Sequence, residues 1–94
     1  MVYVYILYSN KLKKYYVGSC FDLNQRIVEH RNKVFKNSFT TKAEDWELFM
    51  SIDNLDYKQA RKIEMHIKKM RSKKYYEDMK KYPEMCRNLI DRFE

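Results

Sequence analysis

The start of the sequence holds two strand-like runs separated by only a few residues. Residues 2–8 are all β-branched, aromatic or leucine, and residues 15–20 open with Tyr-Tyr-Val after a polar turn signal at residues 9–11. Side chains of these kinds favour strands, and strands with so short a connection pair most simply as an antiparallel hairpin. The first run has no polar face, which predicts a strand buried on both sides. Gly18 lies inside the second run, where glycine indicates close approach by another backbone or by a ligand.

Two helices are predicted from capping signals. An Asp-x-x-Gln pattern occurs at residues 22–25 and again at residues 56–59, and this pattern is typical of helix starts. It predicts helices over residues 22–32 and 56–72. In the second helix, apolar residues recur at spacings of three and four, which indicates one buried stripe. The stripe consists of Ala60, Ile63, Ile67 and Met70.

The remaining segments add one strand and one helix. Residues 33–45 are polar and irregular, and residues 46–52 give a third strand with imperfect alternation. Residues 72–81 are mostly charged and carry no predicted element. Pro83 stops any continuous helix, and residues 84–92 form a last short one.

Length and composition favour one core. The chain has 94 residues, 45% of them hydrophobic, with one Gly and one Pro, which argues against disorder and against two separate cores. We therefore expect a single domain over residues 1–94. Its order is ββαβαα, an α/β fold with a small three-stranded antiparallel sheet flanked by helices.

The charge of the chain indicates a polyanionic partner. Twenty Lys and Arg against thirteen Asp and Glu leave a net charge of +7, and such a field attracts nucleic acid through its phosphates. The same charge fits equally well a small protein that is merely kept soluble.

Compartment and membrane signals indicate a cytoplasmic protein. Cys20 and Cys86 have no metal-ligand spacing and do not make a disulfide framework, which fits a reducing cytoplasm. The apolar run at residues 2–8 lacks a basic leader region and is far shorter than the ~20 residues that span a bilayer, so no membrane partner is expected.

Four polar or aromatic positions stand out as candidates for chemistry: Tyr5 and Tyr16 in the hairpin, and Arg26 and His30 on the first helix. Arg26 and His30 are four residues apart and share one helical face. We expect both at the rim of a cleft beside the sheet. The alternative for the two tyrosines is plain packing between strand and helix, and for Arg26 and His30 it is a solvated helix surface.

In order and spacing these positions resemble the GIY-YIG nuclease superfamily, especially its small single-domain bacterial members. The first motif reads Tyr3-Val4-Tyr5 and keeps only the final Tyr, and the second reads Tyr16-Val17-Gly18, with Val for Ile. Eleven residues separate the two motif tyrosines, Arg26 follows ten residues after the second, and His30 comes four residues later. Glu64 falls where a later helix should supply the metal-binding carboxylate.

The resemblance implies a set of catalytic roles. Glu64 would hold Mg²⁺ or Mn²⁺, since these cations prefer carboxylate oxygens and accept water and phosphate as further ligands. Arg26 would grip the scissile phosphate with its planar fork. Tyr16 would take the proton of the attacking water, with Tyr5 and His30 orienting it and relaying the proton. Glu64 lies at the edge of an apolar stripe, where a carboxylate needs a partner; a metal or an internal Arg would serve, whereas a non-catalytic Glu64 would face solvent or a Lys one turn along.

A basic segment after Glu64 is the candidate for tracking the nucleic-acid backbone, although it fits a solvated face as well. Together with a late Asn that resembles one in many family members, the candidates are Lys68, Lys69, Arg71, Lys73, Lys74 and Asn88.

The sequence therefore predicts a metal-dependent DNA endonuclease, acting on structure or with weak sequence preference, and without a small-molecule cofactor. DNA repair and mobile-element roles both fit such a domain. The alternative is a nucleic-acid-binding module of the same fold with weakened catalysis, which the altered first motif suggests. A protein-interaction domain has no specific residue in its favour.

Overall fold

The computed structural model describes residues 1–32 and 39–94. Strands β1 (Val2–Ser9), β2 (Lys14–Cys20) and β3 (Glu47–Leu55) form one antiparallel sheet in the order β2-β1-β3. β1 lies in the middle because its side chains are apolar toward both faces. The predicted hairpin and the predicted three-stranded antiparallel sheet are confirmed.

The third strand is longer than its sequence pattern indicates. It was expected over residues 46–52, but it begins at Glu47 and continues to Leu55. Trp46, which we expected to open the strand, lies just before it and is fully buried. Of the stretch predicted to be irregular, residues 33–38 lie outside the described residues, and Phe39–Lys42 form a short 3₁₀ helix.

Both capping signals mark real helix starts. Asp22 precedes α1 (Leu23–Arg31) and Asp56 precedes α2 (Tyr57–Met70). The side chain of each Asp accepts a hydrogen bond from the backbone N–H of the Gln three residues on, at 3.0 Å in α1 and 2.7 Å in α2. These bonds satisfy N–H groups that have no partner within the helix.

The charged stretch that carried no predicted element is a helix, α3 (Lys73–Lys81). Ser72 is its N-cap and accepts from the backbone N–H of Tyr75 at 3.2 Å. Tyr76 and Met79 are buried on one side of the helix, and this pair holds α3 against the core despite its many charges. The predicted order ββαβαα therefore lacked one helix, and the observed order is ββαβααα.

The last helix, α4 (Pro83–Arg92), begins at the proline that was expected only to stop its predecessor. Proline fits the first position of a helix because its missing N–H would have no intrahelical partner there. The prediction for residues 84–92 is otherwise confirmed.

The helices lie on both faces of the sheet. α1 covers one face through Leu23 and Ile27, which pack against Tyr5, Leu7 and Trp46. α2, α3 and α4 cover the other, where the core includes Val4, Ile6, Val17, Ile63, Ile67, Met79 and Leu89. Among the helices of the described residues, none has the length and apolar character needed to cross a membrane.

Candidate active site

The hairpin register places Tyr5 and Tyr16 on the same face of the sheet. Across the β1–β2 ladder Tyr5 pairs with Gly18, and Leu7 pairs with Tyr16. Directly opposed residues of antiparallel strands project to one face. The Tyr5 and Tyr16 rings accordingly lie 6.4 Å apart between centroids. Tyr5 is fully buried and Tyr16 is half-buried.

Gly18 leaves the space that the Tyr5 ring occupies. A Cβ atom on residue 18 would lie 2.5 Å from the Tyr5 hydroxyl oxygen and 2.6 Å from the ring carbon that carries it. These distances are far inside van der Waals contact. The close approach that the glycine indicated is thus made by a side chain of the neighbouring strand, and not by another backbone.

His30 joins the two tyrosines from α1. Its Nε2 atom shares a hydrogen bond of 2.9 Å with the Tyr5 hydroxyl, and its ring centroid is 5.0 Å from that of Tyr16. Only 2% of His30 is exposed, so it lies inside the molecule and not at the rim where we expected it. Burial, reinforced by the positive charge of Arg26, lowers the pKa of His30 to about 4. The imidazole is therefore neutral at pH 7.

Arg26 forms the solvent-facing side of the cluster. Its side chain is 35% exposed and its Nε atom lies 3.3 Å from Glu29 Oε1. Burial and the neighbouring Tyr16 raise the pKa of Tyr5, whereas the charge of Arg26 and its hydrogen bond to Tyr5 act in the opposite direction. Arg26 thus reaches the buried phenol while part of its side chain is exposed to solvent.

Glu64 approaches the hairpin from the other side of the sheet. It lies on α2 and is 9% exposed, and its Oε1 atom accepts a 2.6 Å hydrogen bond from the Ser19 hydroxyl. Its Oε2 atom lies 2.7 Å from the ammonium of Lys68, one helical turn along. The need of this buried carboxylate for partners is therefore met by a serine and a lysine of the same chain.

The predicted catalytic residues consequently lie on two sides of one strand. Successive side chains of a strand project to opposite faces, so Gly18 faces the tyrosine cluster and Ser19 faces Glu64. We had expected a single cleft on one face. β2 is an edge strand, with the tyrosine cluster on one side of it and Glu64 on the other.

The basic residues proposed for backbone tracking are spread over several surroundings. Lys68 is paired with Glu64, and Lys74 lies 3.5 Å from Asp78. Lys69 lines a cavity beside His66 and Arg92. Arg71 and Lys73 line a different cavity beside the start of β2. Asn88 is exposed on α4, and within the described parts of the chain it makes no hydrogen bond to the site.

The donor set of the site fits a divalent cation held by one carboxylate. No group of three or more His, Cys, Asp or Glu side chains suited to a metal occurs among residues 1–32 and 39–94. Glu64 offers two hard oxygens, and each has one partner and a further lone pair. Lys68 is 48% exposed on a flexible stem, so it can move away from Oε2. Mg²⁺ or Mn²⁺ can complete such a site with water and phosphate.

Comparison with protein families identifies the chain. The model of the GIY-YIG catalytic domain matches residues 1–77 of the 94. The chain belongs to the GIY-YIG family. The match covers the sheet, α1 and α2 and ends within α3, so it includes all five candidate catalytic residues. No curated protein and no solved structure matched the chain.

Membership of the GIY-YIG family fixes the class of chemistry. GIY-YIG domains are nuclease domains, so the substrate class is nucleic acid, and nucleases of this family generally depend on a divalent metal. The two motifs in this GIY-YIG domain are the β1 and β2 segments that hold Tyr5, Tyr16 and Gly18.

Two contributors to the site were missed by sequence reasoning. Ser19, which binds Glu64, follows the second motif directly, and strand alternation alone places it on the α2 face. The loop before β3 supplies Trp46, whose ring lies 6.4 Å from Tyr16 and whose carbonyl accepts a 2.8 Å hydrogen bond from Arg31 Nε. No sequence spacing relates Trp46 to α1.

Proposed function

We propose that this GIY-YIG domain is a metal-dependent endonuclease that hydrolyses phosphodiester bonds of DNA, acting on DNA structure or with weak sequence preference. The observation that carries the proposal is the cluster of Tyr5, Tyr16, Arg26 and His30 around one edge of the hairpin. It combines a cation for phosphate, a neutral imidazole and two phenol groups, which are the groups that acid–base hydrolysis of a phosphodiester requires. A small domain of this kind contacts mainly the phosphates of its substrate, and phosphate contacts do not depend on the base sequence.

The reaction is the attack of water on phosphorus, which forms one P–O bond and breaks another. In our proposal Arg26 holds the phosphate oxygens and stabilises the charge that builds on them. Tyr16, the more accessible phenol, acts as its phenolate and receives the proton of the attacking water, while the departing sugar oxygen takes up a proton from solvent water. Tyr5 and His30 orient Tyr16 and relay the proton, for which the neutral state of His30 is required because a protonated imidazole cannot accept one.

Glu64 would hold the divalent cation, which when bound supplies Lewis-acid stabilisation of the phosphoryl oxygens. Ser19 fixes one carboxylate oxygen of Glu64 through its 2.6 Å hydrogen bond. Lys68 neutralises the other oxygen as long as no cation is bound, which lowers the cost of burying the charge.

The proposal is tested by incubating the purified protein with branched, nicked and single-stranded DNA, with and without Mn²⁺. We expect Mn²⁺-dependent cleavage, and we expect Arg26→Ala to reduce it about 100-fold or more while the thermal unfolding curve stays close to that of the parent. Arg26→Lys keeps the charge but loses the planar fork, so it should recover only part of the rate. Equal cleavage by parent and Arg26→Ala would remove Arg26 from the mechanism.

The ion pair between Glu64 and Lys68 supports a second candidate, a nucleic-acid-binding module with weakened catalysis. In that case the pair is permanent, and Glu64 serves only to anchor α2 to β2. DNA binding without cleavage on any of the three substrates, at every Mn²⁺ concentration, would favour the module over the enzyme.

A further inference from the structure

A basic cavity lies on the α2 face of the sheet, away from the tyrosine cluster. It has a volume of about 210 Å³ and is lined by Lys14, Tyr15, Arg71, Lys73 and Tyr76. Its basic residues come from three different places: Lys14 is the first residue of β2, Arg71 is the C-cap of α2, and Lys73 is the first residue of α3. The fold thus brings three basic residues to one opening.

The cations of this cavity are available to a ligand. Lys14, Arg71 and Lys73 are exposed, and within residues 1–32 and 39–94 none of the three forms an ion pair. Glu77 is the nearby carboxylate, and its charge acts on Tyr15, whose pKa is raised mainly by burial and further by Glu77. The residues that line the cavity include three basic ones and no acidic one, so the cavity favours an anion.

The aromatic wall of the cavity is rigid. The Tyr15 ring lies between those of Tyr8, Phe49 and Tyr76, with centroid distances of 4.8, 5.1 and 5.1 Å. Rings held in this way lose little further entropy when a ligand packs on them. A phenol surface beside cations suits the apolar face of a sugar next to its phosphate.

The cavity is smaller than the usual site for a drug-sized ligand. Sites for such ligands usually measure about 300–1,000 Å³, which is more than the 210 Å³ found here. A cavity of this volume fits a part of a longer chain, such as one backbone phosphate with its sugar.

The cavity continues the line of the candidate active site along the β2 edge. Glu64 bonds to Ser19. Arg71, seven residues after Glu64, and Lys14, five residues before Ser19, line the same cavity. α2 and β2 therefore run in opposite directions side by side. At about 1.5 Å per helical residue and 3.3 Å per strand residue, the two places are about 10–16 Å apart.

We propose that this cavity is a second phosphate-binding site, which holds a backbone phosphate of the bound nucleic acid about 10–16 Å from the bond that is cleaved. The proposal rests on the proposed function, since it takes the place of cleavage to be the edge between Arg26 and Glu64. Arg71 and Lys73 are then the residues of the basic segment that contact the backbone, together with Lys14, and the site sets the register of the strand on the domain.

The test compares two double variants that each remove two positive charges. Lys14→Ala with Arg71→Gly empties the cavity, and glycine suits residue 71 because its φ of 46° is left-handed. Lys58→Ala with Lys62→Ala is the control, since both lysines are exposed on α2 outside this cavity. Binding to a 20-base-pair duplex is measured in EDTA at a series of salt concentrations.

Loss of two phosphate contacts should make the negative slope of log K against log salt shallower by about two. It should also weaken binding roughly tenfold or more at low salt. The control should keep the parent slope. If the Lys14→Ala, Arg71→Gly double variant fails to fold, Lys73→Gln gives an independent test, and its negative slope should be shallower by about one. Equal slopes for parent, cavity variants and control would overturn the proposal.

A titration with inorganic phosphate is the second part of the test. Added phosphate could shift the NMR amide resonances of Lys14, Tyr15 and Lys73 while the cavity variant still binds DNA like the parent. This result would show a site for free anions only and would also overturn the proposal. Because binding is measured without metal, the outcome is separate from cleavage. A parent that never cleaves DNA refutes the proposed function, whereas cleavage combined with equal slopes refutes the second site alone.

Discussion

At residue 18 the absence of a side chain determines the geometry of the neighbouring tyrosine. A Cβ atom on residue 18 would lie only 2.5 Å from the Tyr5 hydroxyl oxygen, and the same hydroxyl bonds to His30. We predict that Gly18→Ala displaces the Tyr5 ring, breaks this bond and destabilises the fold by about 1–3 kcal/mol, the usual cost of overpacking. Urea unfolding gives the free energy, and cleavage should fall with it.

A double-mutant cycle separates this clash from a general effect of alanine in the strand. In a Tyr5→Ala background the space above residue 18 is empty, so adding Gly18→Ala should cost little. Additive losses in the two backgrounds would show that Gly18 serves the backbone and not the tyrosine.

His30 makes the stability of the protein depend on pH. Its ordinary pKa of 6.5 applies to the unfolded chain, and burial together with Arg26 lowers the folded value to about 4. Between these values the unfolded state binds a proton that the folded state does not, so the free energy of unfolding falls as pH drops from about 6.5 to 4. The full effect is on the order of 3 kcal/mol.

This dependence is measured by urea unfolding of parent and His30→Gln at pH 4 to 7. At pH 7 the variant is expected to be less stable than the parent, but its free energy of unfolding should fall less as the pH is lowered to 4. His66→Gln is the matched control, because the pKa of His66 is also lowered by burial but His66 is only half-buried. Parallel curves for parent and His30→Gln would contradict the assignment.

At the scale of elements, α3 depends on a cap and two buried side chains. Ser72 accepts from the backbone N–H of Tyr75, while the residue before it, Arg71, is the left-handed C-cap of α2. We predict that Ser72→Ala costs about 1 kcal/mol and that Ser72→Asp costs much less, because Asp caps as well as Ser. Thermal unfolding measures both, and equal losses would assign the effect to another contact of Ser72.

The elements that could be predicted from sequence are those whose signals are local. The hairpin follows from apolar strand residues, and α1 and α2 follow from Asp caps. α3 has a similar signal in Ser72 and in the pair Tyr76 and Met79, but six of its nine residues are charged, which obscures the apolar stripe. The contact between Ser19 and Glu64 could not be predicted, since it joins residues 45 apart and depends on which sheet face α2 covers.

At the scale of the whole molecule, the residues proposed for the chemistry are divided between the two layers of helices. α1 brings Arg26 and His30 to one face of the sheet, and α2 brings Glu64 to the other, with the edge strand β2 between them. If both faces act on one phosphate, as we propose, the substrate lies along the edge of the sheet. The net charge of +7 attracts nucleic acid to the molecule in general, whereas the edge decides where the strand comes to lie.

Glu64→Gln tests whether the two faces act on one phosphate. The amide keeps the size of the side chain and can still accept from Ser19, but it removes the charge that a divalent cation needs. We expect Mn²⁺-dependent cleavage to be lost, while DNA binding in EDTA stays similar or strengthens through the lost repulsion of phosphate.

Glu84→Gln is the matched control, because Glu84 is exposed in the first turn of α4 and the charge change is the same. Mn²⁺ binding measured by calorimetry should disappear in Glu64→Gln and persist in Glu84→Gln. If Glu64→Gln instead cleaves DNA like the parent, then Glu64 only anchors α2 to β2 through Ser19 and Lys68. The tyrosine face would in that case carry the reaction without it, and the substrate would have no need to reach both sides of the edge.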